Sequence, residues 1–161
     1  MLRNAALLSW AFLMVTPAYA LEVGEKSPDI QLQGQVAPVK LSESAGKLVY
    51  LDFWASWCGP CRQSFPWMNE MQAKYGPQGL QIIGVNLDAK QEDAQKFLSQ
   101  HPAAFTLAFD PKGDTPRQFG VKGMPTSFLI GRDGTILGSH IGFREADRAK
   151  LEQQIETALK A

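Results

Sequence analysis

Cys58 and Cys61 are the only two cysteines of the chain, and they stand at Cys-x-x-Cys spacing in the run Trp54-Ala55-Ser56-Trp57-Cys58-Gly59-Pro60-Cys61. A thiol pair so close can exchange electrons with a second disulfide. The nearly continuous apolar run Leu48 to Trp54 reads as a strand, and the segment after the cysteines reads as a helix. The pair therefore falls where a strand turns into a helix. A thiol at the start of a helix faces unpaired backbone N–H groups and the positive end of the helix dipole. Both favour thiolate over thiol, and the thiolate is the nucleophile, so Cys58 is expected to attack first. Cys61 lies about one helical turn on, close enough to attack a mixed disulfide formed on Cys58 and release the partner reduced.

Two other readings of the pair are a structural disulfide and half of a zinc site. Zinc needs two further Cys or His ligands at suitable spacing. The remaining candidates, His101 and His140, are single and distant in sequence and read as surface or packing residues. A disulfide across two residues closes too small a loop to constrain the unfolded chain much. Redox chemistry is the reading that remains. Met68 and Met71 fall with Phe65 at spacings of three, which is a core stripe rather than a ligand set.

The elements that position the pair can be read in order. Ile30-Gln31-Leu32-Gln33 and Pro38-Val39-Lys40-Leu41 alternate apolar and polar residues and predict a hairpin around Gly34. Ser42 to Gly46 reads as a loop. Leu48 to Trp54 predicts a central strand buried on both faces, interrupted by the acid Asp52. A buried carboxylate costs free energy unless hydrogen-bonded or protonated, so burial is expected to raise its pKa. A helix is expected from Gly59 to Tyr75, with Pro60 tolerated in its first turn and Pro66 kinking it. Leu80 to Leu87 predicts a second buried strand ending at Asp88, and Gln91 to Gln100 a helix with Ala94, Phe97 and Leu98 on its apolar side. A short strand is expected at Thr106–Phe109, a turn at Asp110–Gly113 and a short helix at Thr115–Phe119. Gly123-Met124-Pro125-Thr126 leads into a strand at Phe128–Ile130, a turn at Arg132–Thr135 and a returning strand at Ile136–Ile141. A proline there must sit at a turn or bulge. The last helix is expected over Arg144–Lys160, with Leu151, Ile155, Ala158 and Leu159 buried.

Trp57-Cys58-Gly59-Pro60-Cys61 resembles the active-site sequence of thioredoxin, and Met124-Pro125, about 65 residues further on, fits the family's second diagnostic stretch. The long lead-in and the helix-plus-strand block inserted into the central βαβ unit resemble the extracytoplasmic, TlpA-like branch of that superfamily. The resemblance covers roughly residues 28–160. It implies an α/β fold, a thioredoxin-like three-layer sandwich with a central mixed sheet, an N-terminal β-hairpin and that inserted block. It implies that Asp52, six residues before Cys58, exchanges a proton with Cys61. It implies that Pro125 is cis and sits against the disulfide, shielding the sulfurs from metal. The backbone of Met124 would then pair with an extended substrate by strand addition. Trp57, Gly59, Pro60, Met124 and Pro125 would form the docking surface. Two positions depart from the family. Gly84 stands where thioredoxin has a lysine near its buried acid, and Ser64 stands where TlpA-like proteins often carry a glutamate.

Sixteen basic residues balance sixteen acidic ones, and no block of like charge occurs, so neither a nucleic-acid partner nor a polybasic membrane contact is supported. At 161 residues the chain holds one domain with a full core. Residues 1–20 read as a secretory signal peptide: Arg3, a short apolar stretch Ala5–Val15 and a small-x-small ending at Ala20. The domain is then 21–161, periplasmic or otherwise exported, and membrane-anchored if the leader is not cut. The expected activity is thiol–disulfide exchange with protein substrates, run as a reductase, with no cofactor and no metal. By resemblance its clients are apocytochromes c or copper-site proteins, and its electron donor a membrane thiol reductase of the DsbD or CcdA type. A disulfide oxidase, an isomerase if the chain dimerises, and a copper(I) metallochaperone are the rivals.

Overall fold

The computed structural model describes residues 21–161; the leader expected at 1–20 lies outside the described residues. In chain order the described elements are β1 (Gln31–Gly34), β2 (Val39–Lys40), β3 (Leu48–Trp54), α1 (Gly59–Tyr75), β4 (Leu80–Asn86), α2 (Gln91–Gln100), β5 (Thr106–Phe109), α3 (Asp114–Gln118), β6 (Thr126–Ile130), β7 (Ile136–Ile141) and α4 (Arg148–Lys160). They build one mixed seven-stranded sheet in the order β2-β1-β5-β4-β3-β6-β7. β3, β4 and β5 run parallel, whereas β6 pairs antiparallel with β3 and with β7. The expected hairpin forms, with Leu32 opposite Val39, and β5 lies between it and β4. The inserted strand thus welds the lead-in to the central sheet.

β3 sits in the middle and is buried at all seven positions, as its apolar run predicts. Successive side chains point to opposite faces. Leu48, Tyr50 and Trp54 enter a core closed by Phe65, Met68 and Met71 of α1, Phe97 of α2, and Leu151 and Ile155 of α4. Val49, Leu51 and Phe53 enter a second core on the other face, closed by Ile30 and Leu41 of the lead-in and by Phe119 just after α3. Two helical boundaries differ from expectation. Leu41–Ser44, expected as the last strand residue and the start of the Ser42–Gly46 loop, is a 3-10 turn that buries Leu41 and Ser44. Glu145–Asp147 is another such turn, so α4 starts four residues late: the Asp147 carboxylate accepts the Arg144 backbone N–H at 2.9 Å and tightens the entry. α1 continues through Pro66 to Tyr75. No helix among the described residues is long and apolar enough to cross a membrane.

Candidate active site

β3 ends at Trp54, and Ala55-Ser56-Trp57 carries the chain into α1. The turn is closed by the Cys58 N–H donating to the Ala55 carbonyl at 3.1 Å. Cys58 is the N-cap of α1 and has extended backbone (φ −83°, ψ 107°). The first helical turn holds Gly59, Pro60, Cys61 and Arg62 and no acid, so nothing there offsets the positive end of the helix dipole. Pro60 sits where a helix lacks acceptors for its N–H groups anyway. Cys58 and Cys61 are joined as a disulfide with Cα atoms 5.4 Å apart. Cys58 is 3% exposed and Cys61 is fully buried, while Trp57 stands 69% exposed beside them. Gly59 and Pro60 are also exposed.

The second stretch reaches the same end of the sheet through strand register. Thr126 pairs with Phe53 near the end of β3, so Met124-Pro125 lies just beyond the strand pair, beside the chain leading to the cysteines. The Met124–Pro125 peptide is cis. The loop is pinned by the Gly142 N–H donating to the Pro125 carbonyl at 2.7 Å and by the Thr126 hydroxyl donating to the Gly123 carbonyl at 2.6 Å. Met124 is half-buried and packs against both cores.

Asp52 is 2% exposed and points into the same core as the cysteines. It is not at a sheet edge: β4 and β6 flank its strand, with Gly84 and Ser127 as its cross-strand partners. Its Oδ2 has no hydrogen-bond partner. Loss of solvent holds the carboxyl well above the usual carboxylate range. Nearby, the Tyr50 hydroxyl donates to Ser127 Oγ at 2.8 Å, and burial, then the neighbouring Asp52 charge, pushes its own ionisation far up.

Packing explains why glycine replaces the lysine expected at position 84. A Cβ there would lie 2.9 Å from Phe105 Cε2, 3.2 Å from Trp54 Nε1 and 3.4 Å from Leu107 Cδ2. The space is filled by an aromatic cluster in which Phe65 lies 4.8 Å from Trp54, 5.0 Å from Phe97 and 5.2 Å from Phe105, centroid to centroid. Overpacking a well-filled core typically costs about 1–3 kcal/mol. Gly84→Ala is therefore expected to lower stability by about 1–2 kcal/mol within that range. In urea the midpoint falls while the slope is unchanged. Unchanged stability would show that the cluster yields freely. Ser64, in place of the family glutamate, is buried and its hydroxyl donates to the Cys61 carbonyl at 3.1 Å.

Sequence reading missed two features of this end of the sheet. One is a buried polar network at the end of β4, in which Asp88 and Asn86 hold Ser56. Its only sequence signal is an Asn-x-Asp at a strand end. The other is Ile141, 65% exposed on β7, whose position is such that a Cβ on Gly123 would meet its Cγ2 at 3.5 Å. His140 and His101 are packing residues, as expected: His140 lies 3.5 Å from Asp147 and His101 stacks at 4.7 Å on Phe97.

A Cys-x-x-Cys disulfide at a helix N-terminus on a thioredoxin fold, with a cis-proline loop at the same end of the sheet, defines a thiol–disulfide oxidoreductase. The comparisons with known proteins agree: the chain belongs to the Redoxin family of the thioredoxin superfamily, which matches residues 22–155. It is 33% identical over 143 residues to thiol-disulfide oxidoreductase ResA of Bacillus thuringiensis, covering 87% of this chain and 78% of that protein. It is similar to a crystal structure from Chlorobium tepidum described as thiol:disulfide interchange protein DsbE. That match has 66% identity and a TM-score of 0.86, and covers 87% of this chain and 99% of the other. A solution structure of a Bacteroides thetaiotaomicron protein described as a protein disulfide isomerase matches at 30% identity and TM-score 0.81, covering 89% and 94% of the two chains.

Proposed function

We propose that this chain is an exported reductase of protein disulfides that works through Cys58 and Cys61. The observation that carries the reading is the cysteine pair at the acid-free N-terminus of α1, with the buried, unpaired carboxyl of Asp52 in the core behind it. In the reduced protein the Cys58 thiolate attacks one sulfur of a client disulfide. The client S–S bond breaks, a mixed disulfide with Cys58 forms, and one client thiolate leaves. Cys61 then attacks Cys58 Sγ, the Cys58–Cys61 disulfide forms and the second client thiol is released. Two electrons pass to the client. Asp52 takes the proton of Cys61 as it becomes a thiolate and returns it when the pair is reduced again. Trp57, Gly59, Pro60, Met124 and Pro125 form the docking surface, where an extended client segment pairs with the Met124 backbone.

A leader at residues 1–20 sends the domain, 21–161, out of the cytoplasm, where thiols meet oxidising conditions. A dithiol reductase there needs an electron source, which fits a membrane thiol reductase as donor. Clients such as the cysteines of apocytochromes c are what the TlpA-like resemblance implies. The test is the reduction potential of the pair, measured by equilibrating the mature domain with glutathione or dithiothreitol buffers. The expected value lies near thioredoxin's, about −270 mV. A value near that of the strong oxidant DsbA, about −120 mV, would make the protein an oxidant of newly exported chains instead.

A further inference from the structure

We infer that Asp88 is a positioning residue: it holds the Ser56–Trp57 turn and, as a buried anion beside it, biases Cys58 toward the disulfide. The inference rests on the reading of Cys58 as the exchanging thiol. Asp88 follows the end of β4 and is 5% exposed. Its carboxylate accepts the Ser56 backbone N–H at 2.9 Å (Oδ2) and 3.2 Å (Oδ1), the Ser56 hydroxyl at 2.8 Å (Oδ1) and the Asn86 side-chain amide at 2.7 Å (Oδ2). Asn86, 1% exposed, accepts the Asp88 N–H at 3.1 Å through its own Oδ1. The pair is anchored in turn. The Asn86 carbonyl accepts the Asp110 N–H at 2.9 Å, and the Leu87 N–H donates to the Trp54 carbonyl at 2.9 Å. The turn entering the active site is therefore gripped at Trp54 and at Ser56, and the Cys58 N–H closes it onto Ala55.

None of the salt bridges among the described residues involves Asp88. The charged groups near the outer side of Ser56 are Arg62 of α1 and Asp93 and Lys96 of α2, which line a cleft of about 250 Å³ with it. Asp88 is thus a carboxylate stabilised by four hydrogen bonds rather than by a cation, held against Ser56, two residues before Cys58. Its field opposes charge on the Cys58 sulfur, because a like charge nearby disfavours the ionised form. The helix N-terminus favours the thiolate and Asp88 tempers it. The residue types allow the sign to be tested. Asparagine at 88 removes the charge. Alanine at 56 keeps the charge and removes one of the donors that disperse it.

The experiment is redox equilibration of the mature domain with glutathione for four variants. Asp88→Asn is expected to move the equilibrium about tenfold toward the dithiol, which corresponds to about 30 mV. Ser56→Ala is expected to move it the opposite way, by roughly threefold, since the carboxylate loses a donor. The exchange Asn86→Asp with Asp88→Asn keeps one carboxylate and the contact between the two side chains but gives up the 2.9 Å bond from the Ser56 N–H, so its constant is expected between those of the parent and Asp88→Asn. Asp110→Asn removes a different buried carboxylate, one that accepts the Gly113 and Thr115 N–H groups, and is expected to lower stability without moving the constant. The inference is overturned if Asp88→Asn and Ser56→Ala shift the constant in the same direction. It is also overturned if both leave it within twofold while Asp88→Asn loses stability as Asp110→Asn does. If Asp88→Asn fails to fold, Ser56→Ala decides: a shift toward the disulfide supports the inference, and no shift or a shift toward the dithiol overturns it. A parent protein that does not equilibrate with glutathione at all would remove the functional reading itself, not the role of Asp88 within it.

Discussion

Cys58→Ser abolishes reduction of a protein disulfide, and Cys61→Ser leaves the protein trapped on its client as a mixed disulfide. That asymmetry is the largest effect expected of any substitution in this chain. Serine at 58 removes the attacking thiolate and, with only two cysteines in the chain, leaves only the fully buried Cys61, which no client sulfur reaches. Turnover is expected to fall by at least about a thousandfold, the scale on which loss of a nucleophile is felt. Serine at 61 leaves the first step intact and removes the second. The measurement is insulin reduction driven by dithiothreitol, with non-reducing gels of the Cys61→Ser variant to show the adduct. Adducts on Cys58→Ser and none on Cys61→Ser would reverse the assignment of the two sulfurs.

Asp52→Asn slows client release, by up to about a hundredfold, the low end of what a positioned acid–base group contributes. It also changes how stability depends on pH, and the sign follows from burial. Loss of solvent raises the Asp52 pKa in the folded state above its unfolded value. The neutral acid is therefore tolerated inside, and its contribution is fully present below the ordinary carboxylate range. As pH rises through the folded-state pKa, either a charge is created in the core or the protein unfolds to ionise it, and stability is lost. Asparagine cannot ionise. The variant and the parent are expected to melt alike in acid and to diverge as pH rises, the variant melting higher. A gap of about 3 °C corresponds to roughly 1 kcal/mol for a domain of this size. Parallel melting curves across that range would place the ionised carboxylate in contact with a partner, against the orphaned Oδ2. Single-turnover release of client thiol, followed in the same variant, separates this effect on the fold from that on chemistry.

The parts of the fold written in local pattern were legible. The apolar run of β3, the alternation in β1 and β2, and the Cys-x-x-Cys at a strand-to-helix junction are each a few residues long and carry their own physics. The cis peptide at Pro125 was reached by family likeness, since nothing in one sequence distinguishes cis from trans there. What escaped was set by partners distant in sequence. Asp88 read as the end of a strand, because its role depends on Ser56, 32 residues earlier. The absence of lysine at 84 was visible. Its cause was not: Phe105 fills that space from the loop before β5, and no local pattern brings the two together. The delayed start of α4 has the same character on a smaller scale, since the hydrogen bonds from Arg144 to Asp147 close a 3-10 turn ahead of the helix.

The two margins of the sheet have a consequence under the proposed export of the chain, in which it would cross the membrane before folding. A bare strand margin is a template for another chain, and newly exported chains are crowded and slow to find their own partners. On one side the margin is β2, two residues long and preceded by Pro38, too short to recruit a neighbour. On the other, the lead-in is strapped along the start of β7: the Gly24 N–H donates to the Ile136 carbonyl at 2.9 Å, and the Ile136 N–H to the Glu25 carbonyl at 2.8 Å. Lys26 locks the strap through its ammonium on the Asp133 carboxylate at 2.8 Å. The segment immediately after the expected cleavage point thus acts as a guard against self-association, which gives the position of that cut a bearing on solubility as well as on sorting.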